Sequence, residues 1–288
     1  VQPALEDIEP QSAGCRDQQA EACVLNWSLS DLLLEGETPN SRFYSCRSKQ
    51  YGKALLKILT DEGLRVEGGG FEVLSKYPDN DAVQIFAFDR AAAVMEVLEG
   101  PRLLDVIDEG DTEEALEIQL GLTERLLSAC IAVEGLKDLQ VLLSDSLAMK
   151  ESDVPVWARD VIPEAQAVCR SVLRSRTDWR PLHGDLHPRN ILMHQGVWKA
   201  IDARGIYGPV AFEFSNTFIN PWDRKDLIFE AGRMKRLAEN ISGRLGCSID
   251  TVLECALANA LYYAQIGYRQ GQGRHPTKCI REFLALIH

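Results

Sequence analysis

Eight consecutive residues, His183-Gly184-Asp185-Leu186-His187-Pro188-Arg189-Asn190, hold the densest set of reactive side chains in the sequence. They lie between Leu182 and the apolar pair Ile191-Leu192, and Asp202 follows twelve residues after Asn190 at the end of the run Val197 to Ile201. Two carboxylates and an amide at this spacing suit phosphoryl transfer. One carboxylate must meet the attacking hydroxyl and accept its proton; a second, with an amide oxygen, must hold Mg²⁺ on the phosphates. Asp185 is the candidate base, and Asn190 and Asp202 are the candidate metal ligands. Magnesium needs few protein carboxylates, because phosphate and water oxygens complete its shell. Any one of these Asp residues could instead form a local Asx turn; the pattern H-x-D-x-x-x-x-N followed by I-D-A-R-G is what favours chemistry. His183 and His187 stand four apart, as in a zinc helix, but Gly184 and Pro188 oppose a helix there and H-E-x-x-H is absent. His183 joins the candidate catalytic set, with support of the loop as its expected part.

Phosphoryl transfer also needs a cation on the nucleotide. Lys57 lies in the apolar run Ala54-Leu55-Leu56-Lys57-Ile58-Leu59. An ammonium among such neighbours is costly unless paired. A helix glutamate and a phosphate would satisfy it, with Glu72 the first choice of partner and Glu67 the second. The alternative is an edge-strand lysine facing solvent. Gly68-Gly69-Gly70 matches neither G-x-x-x-x-G-K-[ST] nor G-x-G-x-x-G and follows the lysine strand, so it reads as a flexible loop. The turn from Gly36 to Ser41 precedes the lysine and is better placed to cover phosphates, which makes Ser41 a candidate nucleotide contact.

These residues need a scaffold. The sequence of 288 residues, 45% hydrophobic and 26% charged, suits one large domain or two lobes sharing a cleft. Residues 1–24 read as a helix or a frayed arm. Strand-like patterns cover the Leu32 to Leu34 run, Arg42 to Arg47, Lys53 to Leu59, Ala82 to Phe88 and Ala92 to Leu98. After Gly100-Pro101 the spacing becomes helical: Glu113 to Val133, Leu136 to Met149, Val156 to Arg174, and most of the chain from Ala211, interrupted at Gly267 to Gly273. The expected division is an N-terminal nucleotide-binding lobe, 1–98, and a catalytic and acceptor-binding lobe, 99–288. The fold class is α+β.

Net charge is −12, from 31 basic and 43 acidic residues. That opposes binding to a nucleic-acid backbone and suits a neutral or cationic substrate. Eight scattered cysteines without a C-x-x-C pair read as reduced, mostly core thiols. No stretch reaches the roughly 20 apolar residues of a membrane helix, and no signal segment is visible, so a cytoplasmic location is expected. Acidic residues after the loop, Asp223, Asp226 and Glu230, could hold cationic groups of an acceptor or form a solvated helix face.

The segment His183 to Leu192 resembles the corresponding loop of the aminoglycoside phosphotransferases, and Ile201-Asp202-Ala203-Arg204-Gly205-Ile206-Tyr207-Gly208 is similar to the I-D-P-K-G-x-x-G segment of their streptomycin/hydroxyurea branch. Phe212-Glu213-Phe214-Ser215-Asn216 and Asn220-Pro221 continue the likeness. Ala203 and Arg204 depart from it, standing where the branch has proline and lysine. The resemblance implies a bilobal protein-kinase-like fold, with a small antiparallel-sheet N-lobe and a larger, mainly helical C-lobe. It implies ATP or GTP with Mg²⁺, the base lying against the backbone of Glu96, Val97 and Leu98. It places Lys57 and Glu72 on the nucleotide side, Asp185 as base, and Asn190 and Asp202 on the metal. The expected acceptor is a small-molecule hydroxyl, an aminoglycoside such as streptomycin, on a monomer or weak dimer. Kinases of choline, homoserine, methylthioribose or ketosamines, and a nucleotide-binding pseudokinase, are the alternatives. A protein kinase is disfavoured because no A-P-E segment follows Asp202.

Overall fold

The computed structural model describes residues 18–287. The first part of the expected N-terminal arm, 1–17, and Cys15 lie outside the described residues. The N-terminal lobe is a five-stranded antiparallel sheet in the order β1-β2-β3-β5-β4. Its strands are β1 (Leu29–Glu37), β2 (Ser41–Ser48), β3 (Gly52–Leu59), β4 (Ile85–Phe88) and β5 (Ala92–Met95). Alternation along β3 explains how it sits. Ala54, Leu56 and Ile58 are fully buried on one face, in a core with Ala20 and Cys23 of helix α1 (Gln18–Trp27). Leu55, Lys57 and Leu59 therefore face the opposite side, toward the other lobe.

Between β3 and β4 the chain forms two short helices on either side of the glycines that were expected to be a flexible loop: α2 (Asp61–Glu67) and α3 (Gly70–Leu74). Thr60 caps α2 by accepting from the Gly63 N–H at 3.1 Å. Acidic residues in the first turn, Asp61 and Glu62, add to the cap.

The C-terminal lobe begins with α4 (Leu103–Glu109) and α5 (Thr112–Ser128). The expected helix over 136–149 is broken into β6 (Lys137–Asp138), α6 (Leu139–Leu142) and α7 (Ser144–Ala148), and α8 (Ile162–Ser175) starts six residues later than expected, with Pro163 in its first turn. Strands β7 (Trp179–Leu182), β8 (Ile191–His194), β9 (Val197–Ala200) and β10 (Ile206–Pro209) bracket the polar loop. β7 pairs antiparallel with β10, and β8 with β9. Helices α9 (Ser215–Ile219), α10 (Lys225–Ile228), α11 (Arg233–Leu245), α12 (Ile249–Arg269) and α13 (Arg274–Ile287) complete the lobe. α12 is its centre: Phe212, Phe214, Phe218 and Phe283 are buried in the core that surrounds it.

A further core spans both lobes. Leu59, Phe71 and Met95 from the sheet side meet Leu103 and Leu122 of the helical side, together with Leu186, Ile191, Ala200 and Ala203. The polar loop and Asp202 are thus threaded between apolar residues packed from both lobes.

Candidate active site

β7 delivers the chain to His183, and the β10 strand beside it fixes the exit. Gly184 takes a left-handed conformation, φ 76°, and a Cβ there would lie 2.8 Å from Ile206 Cγ1. His183 is fully buried. Its Nδ1 accepts from the Asp185 N–H at 3.2 Å, and its Nε2 donates to the Ile201 carbonyl at 2.9 Å. That pattern assigns the neutral Nε2–H tautomer. Burial pushes its pKa down to about 4. Both nitrogens are committed to backbone, so His183 buttresses the loop and is neither proton carrier nor metal ligand. This corrects its place among the catalytic candidates. His187 is buried as well, and burial holds it below the ordinary histidine range.

Asn190 closes the loop. Its Nδ2 donates to the Asp185 carbonyl at 3.0 Å, and its own carbonyl accepts from the Ile201 N–H at 2.9 Å. Asp202 therefore follows immediately on a residue tied to Asn190. It adopts φ 57°, and its Oδ1 accepts from Lys57 Nζ at 3.1 Å. The oxygen donors of Asn190 and Asp202 fit a hard cation that keeps phosphate and water ligands.

Lys57 is 3% exposed. Its second partner is Glu67 Oε2 at 2.7 Å, with Asn40 Nδ2 holding Glu67 Oε1 at 2.9 Å. The structure thus corrects the choice of Glu72: the last residue of α2 reaches Lys57, whereas Glu72 sits in α3 beyond the glycine triplet. Burial opposes the charge on Lys57, but Asp202 and Glu67 together raise its pKa.

The glycines are not a flexible loop. A Cβ on Gly70 would lie 1.9 Å from the Ala203 carbonyl oxygen, and one on Gly205 would lie 2.2 Å from the Gly69 carbonyl carbon. Only glycines permit this backbone contact between α3 and the loop that carries Asp202. Ser41 is also corrected as a phosphate ligand. It is 2% exposed and its hydroxyl shares a 3.1 Å hydrogen bond with Thr38 Oγ1, which closes the turn.

The chain passes between the lobes from the end of β5 at Met95 to the start of α4 at Leu103. The Glu96 N–H donates to the Gln84 carbonyl at 3.0 Å, while its carboxylate is held by Lys199 of β9 at 2.5 Å. The Glu96 side chain is thus structural, and the Val97 and Leu98 N–H groups make no hydrogen bond to a described residue. Gly100 and Pro101 pair with Met193 of β8 on both sides, fixing the linker to the catalytic hairpin.

Asp185 has partners that sequence reasoning missed. Arg204 Nη2 lies 3.0 Å from its Oδ1, the Tyr263 hydroxyl donates to the same oxygen at 3.0 Å, and Asn216 Nδ2 does so at 3.3 Å. Burial works to raise the Asp185 pKa, but Arg204, then His187 and His183, hold it below the ordinary carboxylate range. Glu213, also unforeseen, accepts from the Gly184 N–H. The acidic residues after the loop are each engaged with an arginine: Asp223 with Arg189, Asp226 with Arg224, and Glu230 with Arg236.

A small antiparallel lobe presenting a paired lysine, above a helical lobe presenting Asp185, Asn190 and Asp202, defines the protein-kinase-like class of phosphotransferase folds. The chain belongs to the aminoglycoside/hydroxyurea antibiotic resistance kinase family, whose sequence model matches residues 26–269. It is 28% identical over 158 residues to streptomycin 3''-kinase of Klebsiella pneumoniae; that alignment covers 54% of this chain and 57% of the relative. Among solved structures, it is similar to a choline/ethanolamine kinase family protein from Mesorhizobium loti, with TM-score 0.61, 14% identity and 94% of each chain covered. It is also similar to a thermostable aminoglycoside phosphotransferase in ternary complex with ADP and hygromycin B, with TM-score 0.59, 13% identity, and 93% and 97% covered. At these identities the two structures speak for the fold alone. No helix among the described residues is long and apolar enough to cross a membrane.

Proposed function

We propose that this chain transfers the γ-phosphoryl group of Mg-ATP to a hydroxyl of a small molecule, with an aminoglycoside such as streptomycin as the acceptor. The observation that carries this is the convergence of three separated segments: β3, the loop 183–190 and the loop after β9. Lys57 of β3 meets Asp202, whose loop begins at a residue tied to Asn190, whose amide in turn holds the backbone of Asp185. The likeness to a streptomycin 3''-kinase supports the acceptor class.

In this reading Asp185 orients the acceptor hydroxyl and takes its proton as the oxygen–phosphorus bond forms. The bond from γ-phosphorus to the β–γ bridging oxygen breaks in line, ADP leaves, and the proton passes from Asp185 to solvent. Lys57, kept charged and aimed by Glu67, meets the nucleotide phosphates. Mg²⁺, held by Asn190 and Asp202, would neutralise charge on the transferring group when bound. The unpaired N–H groups of Val97 and Leu98 are available to the nucleotide base.

The test is a phosphate-transfer screen with Mg-ATP and Mg-GTP over streptomycin, other aminoglycosides, choline, homoserine, methylthioribose and ketosamines. Transfer to streptomycin that falls by orders of magnitude to a residual rate in Asp185→Ala, with nucleotide affinity retained, is the expected result. Preference for a non-aminoglycoside acceptor overturns the acceptor assignment. Tight nucleotide binding without transfer to any acceptor overturns the enzyme reading.

A further inference from the structure

Arg204 is a buried guanidinium, 4% exposed, whose one carboxylate partner among the described residues is Asp185. Its Nε and Nη1 are buried without hydrogen-bond partners. Such an arrangement is a poor device for stability, because the desolvation of a buried pair rivals its attraction. Its geometry, however, is tightly specified. The Arg204 N–H donates to the His183 carbonyl at 2.8 Å, and the guanidinium lies 4.9 Å from the centre of the Tyr262 ring. Nη2 also reaches the Tyr263 hydroxyl at 3.4 Å. Tyr263 and Asn216 donate to Oδ1 of Asp185, Arg204 is ion-paired with the same oxygen, and no described residue donates to Oδ2. Asn216 is itself aimed by Asn259, which donates to its Oδ1 at 3.1 Å.

We propose that Arg204, seconded by Tyr263, is a positioning residue that pins one oxygen of Asp185 and leaves the other as the single acceptor for the substrate hydroxyl. The proposal rests on the phosphotransfer reading above. A carboxylate free to rotate presents either oxygen in many orientations. One oxygen held by two hydrogen bonds and an ion pair leaves the other with a fixed lone pair, and fixed geometry of the reacting groups is worth large factors in rate. Arg204 thus acts through Asp185, without contact to the acceptor.

The experiment compares wild type with Arg204→Met, Arg204→Lys, Tyr263→Phe, and Arg204→Met combined with Asp185→Ala, after thermal melts establish which are folded. Arg204→Met is expected to lose kcat by about 100-fold, with KM for nucleotide and acceptor within about threefold of wild type. Arg204→Lys keeps the charge and should recover most of that loss. Tyr263→Phe removes one of the two hydrogen-bond donors and should lose roughly tenfold in kcat, which carries the test if Arg204→Met does not fold. In the Asp185→Ala background Arg204→Met should add nothing to the deficit. Unchanged kcat in both Arg204→Met and Tyr263→Phe overturns the proposal. So does a loss seen equally in nucleotide KM, or one undiminished when Asp185 is absent. Wild-type transfer with unaffected variants sinks this inference alone, whereas absence of wild-type transfer sinks the phosphotransfer reading with it.

Discussion

Glu213→Gln should make the protein more heat-stable at pH 8 than wild type, by a margin that shrinks as the pH falls. Glu213 is 2% exposed, and both its oxygens lie 3.2 Å from the Gly184 nitrogen. Burial, with the charge of Asp185 adding to it, pushes its pKa up to about 8 from an ordinary 4.5. The folded protein therefore carries Glu213 protonated at neutral pH, while the unfolded chain ionises it. A raised folded pKa contributes stability that is whole below 4.5 and is lost as pH rises through 8. The full window of about 3.5 pH units corresponds to about 5 kcal/mol. From pH 6 to pH 8 the loss is about 2 to 3 kcal/mol, because the folded group begins to ionise itself near the upper end. Glutamine keeps the shape and an acceptor for Gly184 without the titration. At about 2 °C per kcal/mol for a chain this long, the gap in Tm between variant and wild type should widen by about 5 °C between pH 6 and pH 8. Melts across that range, followed by circular dichroism, read it directly. A gap that is flat with pH, or that widens toward acid, refutes the reasoning.

Glu67→Gln should lower kcat/KM for ATP at least about tenfold, since Glu67 aims the buried Lys57, while Glu72→Gln should stay near wild type; steady-state kinetics at varied ATP distinguishes them. Gly70→Ala places a methyl against the Ala203 carbonyl, so it should cost roughly 2 kcal/mol or more and weaken Mg-dependent nucleotide binding, read by melts and by titration with Mg-ADP. His183, held near pKa 4 by burial, gives the opposite pH signature to Glu213. Its depressed folded pKa contributes stability that is present above 6.5 and lost as pH falls toward 4, about 3 kcal/mol in all. The advantage of wild type over His183→Gln in melts should shrink by that amount across the window.

The strands, and the loop that holds Asp185 and Asn190, were legible because their signals are local. Alternation over Ala54 to Leu59 placed Lys57 on a strand, and the 183–190 spacing put Asp185 and Asn190 on one loop. Partners across the fold were not legible in the same way. Glu67 and Glu72 are both acidic residues near the glycine triplet; which one meets Lys57 depends on α2 ending there and on Asn40 gripping the other carboxylate oxygen. The glycine triplet carries no motif because its function is to lack side chains against Ala203 and Gly205, whose proximity is a tertiary fact. Ser41 has the right place in the chain order, yet its hydroxyl is used by the turn it opens. Tyr263 had no signal at all: it is one aromatic residue in an apolar helix, and only the packing of α12 behind the loop brings its hydroxyl to Asp185.

The two aspartates that the chemistry requires lie on different segments, yet one carbonyl sets their relation. The oxygen of His183 accepts from both the Arg204 N–H, at 2.8 Å, and the Gly205 N–H, at 3.1 Å. The loop carrying Asp185 and the loop carrying Asp202 are therefore stitched two residues before the first aspartate and two and three residues after the second. The His183 ring then ties Asp185 to Ile201 from the other side of Asp202. Neither loop can shift against the other without breaking buried backbone hydrogen bonds, each of which would leave a polar group unsatisfied. The N-terminal lobe reaches this unit through Lys57 and through the contact of Gly69 and Gly70 with residues 203 to 205. A displacement of α3 bears on Ala203, the chain neighbour of Asp202. Damage to the glycine contact should accordingly appear first as weakened metal–nucleotide binding, with the geometry of the base retained.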